Sequence, residues 1–258
     1  MATIAPAFST RAGRDGFFAT IALVMTATVI AGFSLHFLLG RSSFNARALV
    51  HLHGVVLMGW MVLFTLQAQL GAGAQTPRLH RQLGWVGAGW AALVVAVACA
   101  VIVDVTRRGI APFFFQPQHF LIANPLTAFA FAGFTYAAIR MRRRTDWHRR
   151  LHICGTAMIM GPAFGRILPM PLLIPWAFEI SCLAGLAFPA AGMIHDRRRY
   201  GRVHQAWLWA FVVMLALLLT AQLLAFSGFG DWLYGVVTQG APGAALDGRA
   251  FAPMPPLP

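Results

Sequence analysis

Seven long apolar runs, separated by short polar or basic segments, account for most of this 258-residue chain. Each run is close to the roughly 20 residues that an α-helix needs to cross the hydrocarbon core of a bilayer. The pattern predicts an all-α, polytopic membrane helical bundle with seven transmembrane helices. The first five are predicted at residues 17–40, 48–70, 84–103, 119–139 and 151–168. The sixth follows the Pro-rich turn 169–171 and ends near 194, and the seventh is predicted at 204–226.

Composition supports the same class. The chain is 59% hydrophobic and only 10% charged, whereas soluble domains carry about 25% charged residues. We therefore interpret the net charge of +13 as favouring membrane lipids as partners, and not nucleic acid. The three cysteines fall in three different apolar runs, which implies no disulfide framework.

The orientation follows from the arginines, which supply all 20 basic residues. Positive charges in short loops concentrate on the cytoplasmic side of a membrane. With seven helices and the N-terminus inside, the inner segments hold 14 of the 20 arginines and the outer segments hold 6. This predicts a cytoplasmic segment at 1–16, a transmembrane domain at 17–227 and a flexible extracytoplasmic tail at 228–258, in a protein of the bacterial inner membrane.

Two basic segments repeat one sequence pattern. Residues 79–87 read LHRQLGWVG and residues 147–155 read WHRRLHICG, so that both fit xHRxLxxxG. A looser third copy, GRVHQAW, occupies residues 201–207. Each copy opens an outward-going helix, which predicts one leading helix followed by three helical hairpins, and internal duplication is common in membrane folds.

The hairpin at residues 51–87 resembles families of functionally uncharacterised prokaryotic multi-pass membrane proteins. Their signature is a helix that starts with His and carries Gln near its far end, followed by LHRxLG; the matching residues here are His53, Gln67, His80, Arg81, Leu83 and Gly84. The resemblance implies a helical inner-membrane fold and brings no established activity. A weaker likeness to cytochrome b561-type proteins rests on helical hairpins with histidines near both faces.

Candidate metal ligands gather on the predicted outer side. His51 and His53 begin the second helix and point roughly 200° apart, so only one of them faces the bundle, and we favour the deeper His53. His119 begins the fourth helix, and Glu179 lies within the sixth. Imidazole and carboxylate together suit Zn, Fe, Cu or Ni. These four residues are therefore a candidate metal site, and His53 with His119 could alternatively bind the iron of a haem.

A second set of histidines falls on the predicted inner side. His148 and His152 are four residues apart and share a helix face, and His80 with His152 forms a candidate inner haem site. The many neighbouring arginines favour other interpretations: the histidines anchor helix starts at the lipid headgroups, or they line a pocket for an anion. Asp146 is then a candidate N-terminal cap.

Two functions fit these features, because ionisable groups at membrane depth are functional candidates by default. The first is a redox protein that binds haem b or a transition metal through these histidines and exchanges electrons with quinone. The second is a non-redox permease or small-ligand-binding protein with a polar cavity around Glu179 and Arg166. A purely structural ion pair between Glu179 and Arg166 is an alternative to a functional role for either residue. A scaffold for other membrane proteins is a third possibility, and the sequence leaves an enzyme activity open.

Overall fold

The computed structural model of this chain describes residues 16–42, 45–73 and 77–253. The predicted N-terminal segment, 1–16, lies outside these ranges apart from Gly16, as do the last residues of the predicted tail, 254–258. The described residues form α-helices, two short 3-10 turns and connecting loops, with no strand among them. The α-helices are α1 (Phe17–Leu38), α2 (Ala48–Gly73), α3 (Pro77–Arg107), α4 (Pro117–Arg140), α5 (Thr145–Met158), α6 (Gly161–Ile167), α7 (Ala177–Ala184), α8 (Ala187–Tyr200), α9 (Gln205–Ala225) and α10 (Gly228–Thr238).

Among the described residues, six helical segments are long and apolar enough to cross a membrane: α1, α2, α3, α4, α9 and the segment Ala177–Tyr200, which contains α7 and α8. Only 22–50% of the most apolar part of each segment is buried inside the protein. Large apolar side chains therefore cover much of the outer surface, as contact with lipid requires. The chain thus has the architecture of a multi-pass membrane helical bundle.

The fifth predicted helix, 151–168, is not continuous. It is divided into α5, which ends at Met158, and α6, which begins at Gly161. Pro162 lies at the start of α6, where its missing N–H is tolerated, whereas inside a continuous helix it would remove a hydrogen bond. The backbone N–H groups of Ile159 and Met160 instead donate to carbonyls three residues earlier, each at 3.2 Å.

The sixth predicted helix has a similar break, between α7 and α8. Here Gly185 N donates to Cys182 O at 3.0 Å, again a bond that spans three residues. The two breaks pack against each other, because a Cβ atom at Gly185 would lie 2.7 Å from the carbonyl oxygen of Ala157, near the end of α5. Glycine is required at position 185 because the two backbone segments approach each other so closely.

Antiparallel packing brings polar residues together at two opposite ends of the bundle. We call one the His119 end: it contains the beginnings of α2, α4 and α7 and the final turns of α1, α3, α6 and α9. There, Arg47 donates to Asp104 at 2.8 Å, joining the beginning of α2 to α3. The opposite end is called the Arg150 end. There, Gln67 Nε2 donates to the His80 carbonyl at 3.0 Å, joining α2 to the beginning of α3.

The segment after Ser227 differs from the flexible tail expected from its Gly- and Pro-rich sequence. Up to residue 253 it contains α10 and a 3-10 turn, and it packs over the His119 end. Gln118 N donates to Gly248 O at 2.8 Å, Gln116 Nε2 to Arg249 O at 2.7 Å, and Arg107 Nη1 to Val237 O at 2.6 Å. These bonds, from α3 and from the start of α4, satisfy carbonyls of the segment, and Tyr234, Leu233 and Val237 of the segment also pack in an apolar cluster with α3 and α4.

Candidate functional site

Three polar side chains meet in the interior of the His119 end: His119, Glu179 and Gln222. We call this group the His119 site. Its residues come from α4, α7 and α9. His119 Nε2 lies 3.7 Å from Glu179 Oε1, with side-chain exposures of 5% and 11%. Gln222 Nε2 donates to the same Glu179 oxygen at 2.5 Å. The structure therefore brings together two of the predicted site residues, His119 and Glu179, and adds Gln222, which the sequence analysis missed.

Two buried polar atoms of the His119 site have no hydrogen-bond partner: Glu179 Oε2 and His119 Nε2. The distance of 3.7 Å between His119 and Glu179 exceeds hydrogen-bonding range, although it is within ion-pair range. An unpartnered polar atom in an apolar interior is unfavourable by about 1–3 kcal/mol. The site therefore has two unused hydrogen-bonding atoms on neighbouring side chains, a feature that a bound ligand would satisfy.

Two aromatic rings adjoin the His119 imidazole. The ring centroid of Phe178 lies 5.1 Å away, edge to face, and that of Phe226 lies 6.4 Å away, nearly parallel. Phe178 also contacts Phe115, at 5.6 Å between centroids. Aromatic rings thus line the imidazole side of the site. Among the described residues, no arginine forms a hydrogen bond or ion pair with the Glu179 carboxylate.

The other predicted outer ligands are not part of the His119 site. His53 is half-buried on α2, whereas His51 is exposed. Arg166 is the charged residue that acts electrostatically on His53, whereas Glu179 acts on His119. Within the described ranges, no group of three His, Cys, Asp or Glu side chains is arranged to hold a metal ion.

The alternative ion pair between Arg166 and Glu179 is not formed. Arg166 Nη1 donates to the Pro162 carbonyl at 2.8 Å, and its guanidinium lies over the Phe33 ring, 3.9 Å from the centroid. Glu179 has His119 and Gln222 as its partners. The Glu179 carboxylate and the Arg166 guanidinium therefore lie apart from each other at the same end of the bundle.

The Arg150 end contains a contrasting polar network, built on an ion pair between Arg150 of α5 and Asp196 of α8. Both side chains are fully buried. Arg150 Nε donates to Asp196 Oδ2 at 2.9 Å and its Nη2 donates to Oδ1 at 2.5 Å, a bidentate arrangement. Trp207 Nε1 also donates to Asp196 Oδ2, at 2.7 Å. Each oxygen of this carboxylate therefore has a partner.

His204 extends this network and also caps the start of α9. Its Nδ1 accepts from Ala206 N at 3.1 Å, so its proton lies on Nε2, which donates to Asp146 Oδ2 at 3.2 Å. Burial, followed by the positive charge of Arg150, holds the pKa of His204 below its usual range, although Asp146 acts in the opposite direction. Asp146, predicted as the cap of α5, thus interacts with α9 instead, and Arg144 occupies the cap position.

The inner histidines lie together between α3 and α5. The ring centroid of His148 is 6.2 Å from that of His80 and 4.7 Å from that of His152, edge to face in both cases. His148 Nδ1 also lies 2.8 Å from the Ala138 carbonyl, to which it donates. His148 therefore lies beside both members of the predicted inner haem pair, His80 and His152. The haem stays a prediction, and we derive no redox step from it.

Two residues of the Arg150 network, Asp196 and Trp207, were also missed by the sequence analysis. Asp196 was visible as the single acidic residue beside the basic run at 197–199. Trp207 was visible only as the last residue of the looser repeat copy at 201–207, and it is fully buried. An acid next to an arginine run and a tryptophan near a helix start are common patterns, so neither one signalled a network.

The fold defines a multi-pass membrane helical bundle with buried ionisable groups at both ends. No protein-family model, no curated protein and no solved structure matches the chain. The functional argument therefore rests on the geometry of its own residues.

Proposed function

We propose that this chain is a seven-crossing protein of the bacterial inner membrane that binds a small organic ammonium ion at the His119 site, as a permease or a binding protein for that ion. This is the non-redox alternative of the sequence analysis, with Glu179 as the central residue. The N-terminus lies inside and the His119 end faces outward in this proposal.

The seventh crossing is supplied by α5 and α6 together. They extend over residues 145–167, and at 1.5 Å per residue a segment of this length spans about 34 Å, enough for a hydrocarbon core of about 30 Å. Their break is buried against the break between α7 and α8, and non-helical backbone at membrane depth is tolerated where protein surrounds it. The excess of arginines in the predicted inner segments supports the orientation.

One observation carries the ligand assignment: Glu179 Oε2 and His119 Nε2 are both buried and without a partner. A carboxylate oxygen accepts hydrogen bonds, and the Nε2 atom of a neutral imidazole protonated on Nδ1 also accepts. An ammonium group donates several hydrogen bonds and supplies the positive charge that a buried carboxylate needs. A single N–H-bearing cation would therefore satisfy both atoms.

The surroundings of the His119 site favour an organic cation over a hydrated metal ion. Two aromatic rings, Phe178 and Phe226, adjoin the His119 imidazole, and the faces of such rings attract alkylammonium groups. A small metal ion would need more ligands than one carboxylate and one imidazole supply, because its coordination shell holds four or more. The site is better matched to methylammonium or a similar amine.

The test is equilibrium binding of radiolabelled methylammonium to the purified full-length protein in detergent. We expect saturable binding that Glu179→Gln abolishes, since the neutral amide cannot balance the cation. The matched control is Asp104→Asn, which removes a carboxylate at the same end that already pairs with Arg47; it should leave binding unchanged. Uptake of methylammonium into proteoliposomes then distinguishes a permease from a binding protein.

Two results would overturn the proposal. One is an absence of saturable methylammonium binding to the wild-type protein. The other is equal binding to Glu179→Gln and wild type. The visible absorption spectrum of the same preparation provides an independent check, because a Soret band with stoichiometric haem would favour the redox interpretation.

A further inference from the structure

A second polar group at the His119 end, separate from the His119 site, is centred on Arg166. The guanidinium of Arg166 lies against the ring of Phe33 from α1, with Cζ 3.9 Å from the centroid. Its Nη1 donates to Pro162 O at 2.8 Å, which fixes the direction of the side chain. The charge of Arg166 also acts on His36 of α1 and His53 of α2. The guanidinium therefore contacts α1 and its own helix α6 directly, and its charge reaches histidines of α1 and α2.

This group has hydrogen-bond donors and no negative charge to match them. Among the described residues, no Asp or Glu oxygen lies within 4.0 Å of Arg166. Arg166 Nε and His53 Nδ1 are both buried without a hydrogen-bond partner. His36 differs, because its Nδ1 lies 2.8 Å from Ser42 Oγ. Two orphaned buried nitrogens beside an unbalanced charge point to a missing acceptor.

We propose that Arg166 and His53 bind an oxyanion at the His119 end of the bundle, with His36 nearby. Because Nη1 is occupied by Pro162, the Nε–Nη2 edge of Arg166 remains for the ligand. That edge matches the spacing of two oxygens in a carboxylate or phosphate and binds them side by side. His53 Nδ1, when protonated, donates a further hydrogen bond to the same anion.

The same chemistry can come from two sources. A soluble anion such as inorganic phosphate or acetate would reach the site from the aqueous side. The phosphate of an anionic phospholipid would reach it from the outer leaflet, where arginine side chains commonly contact headgroups. Either anion would bind to the Nε–Nη2 edge of Arg166 and to His53. Soluble and lipid probes therefore test the same binding site.

The experiment uses the delipidated full-length protein in detergent. Inorganic phosphate and acetate are titrated while thermal unfolding is followed, and retention of added phosphatidylglycerol is measured by native mass spectrometry. We expect at least one probe to bind, Arg166→Gln to weaken that binding about tenfold or more, and His53→Gln to weaken it less. Arg108→Gln, which changes the charge equally at the same end but beside Asp104, should leave the affinity unchanged.

Arg166→Lys keeps the charge without the planar fork, so it should bind with intermediate affinity, and it serves as the decisive variant if Arg166→Gln does not fold. Binding of phosphate or acetate that depends on Arg166 supports a soluble anion, and binding of phosphatidylglycerol alone supports a headgroup. No binding of any probe, or equal binding by wild type, Arg166→Lys and His53→Gln, would overturn the inference. Glu179→Gln should leave oxyanion binding intact, so this site and the His119 site are tested independently.

Discussion

The buried carboxylates at the two ends of the bundle differ sharply in how completely they are hydrogen-bonded. Asp196 accepts two bonds from Arg150, one from Trp207 and one from the backbone N–H of His204 at 3.3 Å. Glu179 accepts one bond, from Gln222, and its second oxygen has no partner. Both are carboxylates buried among apolar helices, yet only one of them has a complete set of partners.

From this difference we infer a structural role for Asp196, and it is the basis of the binding role proposed for Glu179. A buried carboxylate with a paired guanidinium and filled hydrogen-bonding positions has no atom left for a ligand, and its contacts fix the packing of α5, α8 and α9. A buried carboxylate with an unused oxygen is retained at a free-energy cost that packing does not explain. We therefore expect the Arg150 end to control stability and the His119 end to control ligand binding.

The largest expected effect is the loss of the Asp196 charge. Asp196→Asn leaves the Arg150 guanidinium buried without a counter-ion, and breaking such a pair typically destabilises a protein by about 3–5 kcal/mol. We expect a correspondingly large fall in the free energy of unfolding of the purified protein, or a failure to fold. Asp104→Asn is the matched control, because its partner Arg47 is mostly exposed and an exposed pair contributes roughly 0–1 kcal/mol. Similar losses in the two variants would contradict the structural role of Asp196.

A much smaller effect on stability is expected from Glu179→Gln. The amide oxygen can still accept from Gln222, and the change removes a buried charge, so the free energy of unfolding should change by less than about 1 kcal/mol. The same unfolding measurement applies, in the absence of added ligand. A loss as large as that of Asp196→Asn would show that Glu179 is a structural residue, and the contrast between the two ends would fail.

The smallest effect should be seen in the pH dependence of stability. His204 resists protonation in the folded protein, since burial and Arg150 hold its pKa down, whereas it titrates near 6.5 in an unfolded chain. The unfolded state then binds more protons, so this contribution to stability is complete above about pH 6.5 and is lost as the pH falls below it. Replacing His204 with Gln should make the midpoint temperature of thermal unfolding depend less on pH below about pH 6.5. An unchanged pH profile would mean that His204 does not contribute.

Most of the fold was predictable from the sequence, because the length of an apolar run is itself a structural constraint in a membrane. The first four runs and the last correspond to α1, α2, α3, α4 and α9. The helix breaks were harder to locate. Pro162 indicated a disturbance in the fifth run, but the break at Gly185 depends on its contact with Ala157, which no local pattern reveals.

The candidate site was predictable only in part. Depth along the helices placed His119 and Glu179 at one end, but it could not choose their partners, because partners depend on helix order and rotation. Gln222 is 43 residues from Glu179, and Asp196 is 46 from Arg150. Depth alone also grouped His53 with His119, whereas the charged residue that acts on His53 is Arg166.

The paired breaks in α5–α6 and α7–α8 have a structural consequence. Neither regular helix continues through its break, so α6, α7 and the connection between them form a short hairpin of their own, joined to the Arg150 end through tight turns. That hairpin carries both Arg166 and Glu179. The two groups proposed to bind ligands of opposite charge therefore belong to one short segment, whereas the imidazoles of His53 and His119 come from α2 and α4.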